Sequence, residues 1–492
     1  MSGKTALVIG SGFSGLSAAC VLAKNGFNVT VLEKNTCVGG RARKFTDRGF
    51  TFDMGPSWYW MPDIFESFFN YFGKKTSDFY HLKRLDPSYR IIFERNQAVD
   101  IPASYDRYKD LIENLEKGSG TKLDKFISQA EYKYKVGIND FVYRPNRAIS
   151  EYLSLKLLLD ALRLRVFQSF ESHISKYFSD SRVKMMMEFP ILFLGALAKN
   201  TPALYSLMNY ADIKLGTWYP EGGMYKIIEA LERLAKELGV VIKTAREVTE
   251  LEISNRTISR VICHDDEFYS SDVVVASADY HHVEKNLLPE KYRSYSEKYW
   301  DKRVLAPSSL IFYLGIDKKI KKLLHHNLFF DADFSKHSNE IYVTPNWPEN
   351  PLFYVCAPSV TDHTVAPKGK ENLFILMPVA PGIKDSEEIR ERYFKIIMDR
   401  IEKYAGENIS DFIIYKRSYA HNDFVKDYHA YKGNAYGLAN TLKQTAFLKP
   451  KIKSKHLNNL YFTGQLTVPG PGVPPSLISG RVVANEVIKD FA

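Results

Sequence analysis

Cysteine is scarce in this chain. The 492 residues hold four, Cys20, Cys37, Cys263 and Cys356, all far apart. No pair has the spacing of a zinc or redox motif, and the shortage excludes a disulfide-stapled scaffold. Reduced thiols and an intracellular setting are expected, with Cys20 in an apolar helical pattern that reads as core. Long apolar runs are also missing. None reaches the roughly 20 residues of a spanning helix. "MMMEFPILFLGALA" (185–198) comes nearest, but it is short and is interrupted by Glu188 and Pro190. No positive n-region with an apolar h-region precedes the first strand pattern, so no signal peptide is expected. Helix-turn-helix, zinc-finger and RNA-recognition patterns are absent, which puts nucleic acid last among partners. The net charge of +10 then reads as a solvated basic surface or as attraction to an anionic membrane. Internal repeats and low-complexity tracts are absent too.

What the chain has in quantity is aromatic: 31 Phe and 31 Tyr. They imply either a large aromatic core or a long apolar cavity. Hydrophobic residues at 45% and charged residues at 25% suit a folded soluble protein. The length suggests two or three packed domains.

The first informative stretch runs from Lys4 to Arg43. "TALVIG" is a short apolar run ending in glycine, the pattern of a buried parallel strand. Gly10, Gly12 and Gly15 follow as G-x-G-x-x-G. Gly10 permits the tight strand-to-helix turn, Gly12 lets backbone approach a pyrophosphate, and Gly15 lets helix and strand pack closely. "LSAACVLAKNG" has helical spacing, with Gly26 as C-cap. The helix start would present free N–H groups and a positive dipole end to the pyrophosphate. "NVTVLE" is the second strand, ending in Glu33, whose carboxylate can accept bonds from a ribose 2′-OH. A free ribose hydroxyl argues against NADP and leaves NAD and FAD. "VGGRAR" adds Gly39, Gly40 and Arg41, a second glycine loop and an arginine that can meet the same pyrophosphate.

The other informative stretch is "NLYFTGQLTVPGPGVPPSLISGRVVANEVIKDF". It reads as a buried strand ending at Gly464, a Pro/Gly loop, and a helix that Pro474 and Pro475 suit as a start. A second helix N-terminus at this point would stabilise a ring that turns anionic on reduction. A flavin is such a ring and a nicotinamide is not.

With both ends in view the chain resembles the bacterial and fungal type phytoene desaturase family, carotenoid desaturases among the amine-oxidase-like FAD flavoproteins. The resemblance runs nearly end to end. It is carried by the glycine triplet, Glu33, "GGRAR" and "RGFTFDMGPSWYW", with Gly49, Phe50, Asp53, Gly55 and Pro56. Tyr219, Pro220, Gly222, Gly223 and Met224 match the family's Y-P-x-G-G-M. "SSDVVVASADYHHVEKNLLP", "HHNLFF", "APSVTDHTVAPKGKENLFILMPV", "GNAYGLANTLKQ" and the terminal P-G-x-G continue the match. The resemblance implies FAD as cofactor, held by Gly10, Gly12, Gly15, Glu33, Gly40, Arg41, Gly55, Pro56, Ser57, Val248 (beside the adenine), Gly464, Gly472 and Val473. The chain departs from the signature at Gln465, Leu466, Val468 and Pro471, beside the expected flavin.

The implied fold is α/β, a Rossmann-type FAD-binding domain split along the chain with an α+β substrate domain and a helical membrane-associating segment. The expected parts are 1–80, 210–300 and 455–492 for FAD, 81–135 and 301–454 for substrate, and 136–209 as the helical region. "GVVIKTAREVTELEISNRTISRVICHDDEFYSSDVVVASA" reads as an antiparallel meander. "EYLSLKLLLDALRLRVFQSF", Glu151 to Phe170, is leucine-rich with Lys156, Arg163 and Arg165 interspersed. It reads either as a core-facing helix or as a basic amphipathic helix in a membrane interface. The resemblance favours the latter, with the protein at the inner face of the membrane.

The expected reaction introduces C=C bonds into a long polyisoprenoid. No side chain is a ready two-electron acceptor, so the cofactor must supply one. Flavin N5 would take a hydride, a neighbouring carbon would lose a proton, and an apolar tunnel would shield the allylic cation from water. No base stands out. His325, His326, Asp362 and Asp423 are candidates without a distinguishing pattern. The final electron acceptor leaves no signature. Phytoene, a later acyclic carotene, a hydroxylated carotenoid and a monocyclic carotene all remain as substrates. Other readings are a carotenoid isomerase or protoporphyrinogen oxidase type of enzyme, or a prenyl-binding module of the dissociation-inhibitor type. The intact glycine motifs argue against the last.

Overall fold

The computed structural model describes residues 3–147, 164, 168–192, 195, 197–441, 443–445 and 448–491. The leucine-rich Glu151–Phe170 segment lies almost wholly outside the described residues. Among the described residues no helix is long and apolar enough to cross a membrane.

A five-stranded parallel sheet gathers strands from distant parts of the chain. Its order is Leu460–Phe462, Val273–Ala276, Thr5–Ile9, Asn28–Leu32 and Val241–Lys243. The central strands are apolar on both faces and buried, as a sheet covered on both sides requires. On one face the helix Phe13–Lys24 packs between Lys226–Glu237 and Val473–Phe491. Lys226–Glu237 buries Ile227, Ile228, Leu231 and Leu234 and turns Arg233 and Lys236 outward, each in an i,i+4 ion pair with glutamate.

The meander expected over 239–278 is only its middle. Val248–Ser254, Thr257–Cys263 and Phe268–Tyr269 form a three-stranded antiparallel sheet. The flanking strands Val241–Lys243 and Val273–Ala276 instead join the parallel sheet. "VVVA" is buried throughout, which marks a central parallel strand and not a half-exposed meander strand.

The second large sheet has seven strands. Their order is Ile413–Tyr419, Ser308–Ile316, Glu371–Val379, Phe353–Cys356, His326–Phe330, Tyr89–Phe93 and Gln97–Ile101. All pairs are antiparallel except His326–Phe330 with Tyr89–Phe93. Period-2 alternation gives this sheet two jobs. Leu310, Phe312 and Leu314 pack with Tyr393, Ile397 and Ile401 of the helix Glu387–Ala405. Ile311 faces the other way, into a cavity shared with the parallel-sheet domain.

Candidate active site

That cavity, about 390 Å³, lies between the two sheets. Part of its wall is built from glycine contacts. Gly10 has φ +98, and its N–H donates to the Leu32 carbonyl at 2.8 Å, closing the turn. A Cβ on Gly15 would sit 2.0 Å from the Gly10 carbonyl oxygen, so only glycine lets the helix start this close to the strand. A Cβ on Gly12 would meet nothing within 4 Å, and Gly12 lines the cavity. It is a cradle that a side chain would fill.

The second glycine loop docks on the first. The Gly39 N–H donates to the Ser11 carbonyl at 3.0 Å, and a Cβ on Gly40 would lie 3.3 Å from Gly12 Cα. Gly55 is fixed in turn, since its Cβ would sit 2.4 Å from the Arg41 carbonyl oxygen. Gly55 brings Pro56 and Ser57 to the cavity wall. Glu33 is 4% exposed. Its Oε2 accepts from Ser11 N–H at 2.9 Å and Ser11 Oγ at 2.6 Å, and its Oε1 accepts from Asn35 N–H at 2.9 Å and Nδ2 at 2.8 Å. Val248 lines the cavity nearby.

Arg41 reaches the cavity from the second loop, and its buried Nε has no hydrogen-bond partner. Burial pushes the guanidinium down, and Asp279 opposes that. With the Gln465 amide oriented to satisfy both groups, its carbonyl accepts from Arg41 Nη2 at 2.9 Å and Nη1 at 3.1 Å. Gln465, a departure from the signature, is therefore a partner of Arg41. Gly437 makes room for it, since a Cβ there would come 2.8 Å from Gln465.

The C-terminal loop lines the same cavity through Gly464, Gly472 and Val473, and a Cβ on Gly464 would lie 3.2 Å from Ser14 Oγ at the start of the first helix. Gly464 has φ +111, and its N–H donates to Ser479 Oγ at 3.0 Å. The helix that follows starts at Val473, so two helix N-termini border one cavity. Of the residues expected to hold the cofactor, Gly15 alone stands off the cavity, acting through Gly10.

Two residues in and beside this site carried no sequence signal of their own. His282 lines the cavity and stacks on His429, centroids 3.8 Å apart and planes 3° apart. His429 Nε2 lies 2.7 Å from Glu247 Oε1. Burial pushes His282 down to about 3, so it is neutral. Gly480 is the other, because its Cβ would fall 2.2 Å from the Ser14 carbonyl oxygen where the first and last helices cross.

The wall is also aromatic and apolar, with Trp58, Trp60, Met61, Met208, Tyr354 and Leu376. The candidate bases stand behind it. His326 stacks on Trp58 at 4.1 Å, and its Nδ1 lies 2.6 Å from Tyr354 Oη. His325 Nδ1 lies 2.9 Å from Thr361 Oγ1. Burial pushes His325 down to about 3 and holds His326 well below its ordinary value. With Cys356 they bring three ligand atoms within 4.8 Å of one another. That spread is wider than the roughly 3.5 Å between ligands around a tetrahedral zinc. Asp362 accepts from Tyr219 Oη, the Gly222 N–H and Thr364, tying the Y-P-x-G-G-M turn to the sheet. Asp423 caps a helix and pairs with Arg390. None of the four lines the cavity.

A model of the "flavin containing amine oxidoreductase" family matches residues 13–488. The chain belongs to that family. It is 41% identical over 493 residues to a carotenoid 3,4-desaturase of Haloarcula japonica, covering 100% of this chain and 99% of the relative. It is 31% identical to a zeta-carotene-forming phytoene desaturase of Myxococcus xanthus, over 99% and 94% of the two chains. The Staphylococcus aureus 4,4′-diapophytoene desaturase is also 31% identical, over 98% of each. Among solved structures, a putrescine oxidase variant aligns with TM-score 0.64 at 14% identity over 99% of both chains. An oxidoreductase of Methanosarcina mazei aligns with TM-score 0.62 at 18% identity, over 98% and 100%. These two share the fold. The chain is an FAD-dependent oxidoreductase with the amine-oxidase flavoprotein fold. The Gly12 cradle, the orphaned Arg41 Nε and the paired helix N-termini suit a dinucleotide pyrophosphate.

Proposed function

We propose that this family member is a carotenoid desaturase, introducing C=C bonds into a lipid-soluble polyisoprenoid. The observation that carries the reading is one cavity lined both by glycine loops and charged groups and by aromatic and aliphatic side chains. Bound FAD supplies the two-electron acceptor that side chains lack. On this reading Gly12, Gly40 and Arg41 hold the pyrophosphate, Glu33 orients the ribose, and the 464–473 loop supports the ring. Trp58, Trp60 and Tyr354 exclude water and offer ring faces to an allylic cation left when a hydride departs. The substrate's solubility puts the enzyme at a membrane surface.

One hydroxyl favours an oxygen-bearing carotenoid over a pure hydrocarbon. Ser309 lines the cavity, and its buried Oγ has no partner. A hydrocarbon leaves it unpaired, at a cost of about 1–3 kcal/mol, whereas a hydroxylated carotenoid can pair it. The test is anaerobic mixing of FAD-loaded protein with liposomes carrying single carotenoids, followed by pigment chromatography. Hydroxylated carotenoids should bleach the flavin fastest, and Ser309→Ala should narrow that preference. If no carotenoid bleaches it, the desaturase reading fails.

A further inference from the structure

Lys449 is 1% exposed, and its Nζ has no hydrogen-bond partner. Asn440 Oδ1 is also buried and unpartnered. The two groups sit together behind Gly470. A Cβ built on Gly470, whose φ is +136, would lie 2.9 Å from Asn440 Oδ1 and 3.0 Å from Lys449 Nζ. The next residues, Pro471, Gly472 and Val473, line the cavity and open the C-terminal helix. One thickness of backbone therefore separates a buried amine from the cavity wall. No charged group among the described residues bears on this amine; burial alone lowers it to about 7. The polar group beside it is the Asn440 amide. Asn146 Nδ2 donates to the Lys449 backbone carbonyl at 3.2 Å, and Asn146 Oδ1 accepts from the Lys451 ammonium at 3.2 Å.

An isolated amine in such a place lacks an anion. Two-electron reduction of a flavin with uptake of one proton creates one. We propose that Lys449 is a redox-linked proton carrier: its amine is neutral while the flavin is oxidised and becomes ammonium when the flavin is reduced. The balance closes without net buried charge. A dehydrogenated substrate loses a hydride and a proton, and the electron pair of the second C–H bond becomes the new π bond. The hydride makes the flavin anionic, and the amine gains one proton to form the compensating cation. Asn440 Oδ1, unpartnered beside the same Gly470, is an acceptor that the ammonium reaches only by a side-chain shift. Lys449 does not touch the cavity, so its role is to position charge and not to attack substrate.

The proposal rests on the flavin ring lying against the 464–473 loop, and it does not depend on which lipid is oxidised. The experiment is the pH dependence of the two-electron midpoint potential of the FAD-loaded protein, without any carotenoid. Between about pH 7.5 and 9 the native protein should take up two protons per two electrons. Lys449→Met and Lys449→Arg should take up one, flattening the slope by 29.6 mV per pH unit. Arginine keeps its charge in both states, so that variant tests the linkage even if methionine disturbs the fold. A one-proton slope in the native protein overturns the proposal without any variant. A two-proton slope retained in Lys449→Arg overturns it as well. Failure of every carotenoid to reduce the flavin would sink the desaturase reading and leave this measurement untouched.

Discussion

Replacing Gly480 with alanine puts a methyl group 2.2 Å from the Ser14 carbonyl oxygen, 2.7 Å from Ser17 Cβ and 2.9 Å from Ala18 N. Ordinary contacts lie near 3.5 Å, so the first and last helices must part by roughly 1 Å. A gap of that size forfeits about a quarter to a half of each dispersion contact across the seam. It also stretches the bond from Ser17 Oγ to the Leu477 carbonyl, now 2.7 Å. Overpacking of this kind costs about 1–3 kcal/mol, while alanine returns up to about 1 kcal/mol of helix propensity. The net expectation is a loss of about 1–2 kcal/mol. Because both helices begin at the cavity, part of the loss falls on the cofactor, at tenfold in affinity per 1.4 kcal/mol. Urea unfolding of the FAD-free protein and titration with FAD by flavin fluorescence separate the two. A Gly480→Ala protein with native urea midpoint and native FAD affinity would refute the close-crossing argument.

Other expectations concern single side chains. Glu33→Gln replaces a carboxylate that accepts four hydrogen bonds, and FAD affinity measured by equilibrium dialysis should fall about 10- to 100-fold while the fold survives. Gln465→Ala removes the amide that accepts from Arg41, so FAD should dissociate faster in stopped-flow while the urea midpoint barely moves; an unchanged off-rate would detach Gln465 from the cofactor. His325 is held at about 3 in the folded state, against about 6.5 when unfolded. The unfolded chain alone binds its proton below pH 6.5. Its stabilising effect is therefore full above pH 7 and is lost as pH falls from about 6.5 toward 3. Asp53, raised to about 6, and Asp212, raised to about 7, favour the folded state on the acid side, so the comparison must be with a variant. Urea midpoints from pH 7 to 4 should fall less steeply in His325→Asn than in the native protein; parallel curves would contradict the buried neutral imidazole.

What the sequence made legible was local. Gly10, Gly12, Gly15 and Glu33 sit within one strand–helix–strand unit, where spacing translates directly into geometry. The Pro/Gly loop before Val473 was legible for the same reason. Gly480 was hidden because the partner that demands it, Ser14, is more than 400 residues away, and "SLISG" reads as an ordinary helix. Val241–Lys243 and Val273–Ala276 were misplaced because a short apolar run carries no label for the sheet it joins. With another adjacent pair in the chain at His281 and His282, His325 and His326 were candidates without a distinguishing pattern. Their position behind Trp58 and Tyr354 depends on cross-strand pairing of His326 with Cys356, which no spacing encodes.

The parallel sheet also constrains how the protein can be made. Val273–Ala276 takes its outer neighbour from Leu460–Phe462, which a ribosome reaches much later. At translation speeds of about 5–20 residues per second, that strand edge waits on the order of ten seconds or more for its partner. During this interval a fully apolar edge is open to pairing with other chains. On the proposed reading of the site, the cradle for FAD is incomplete until Gly464 and Val473 emerge, which makes cofactor loading a late event in biosynthesis.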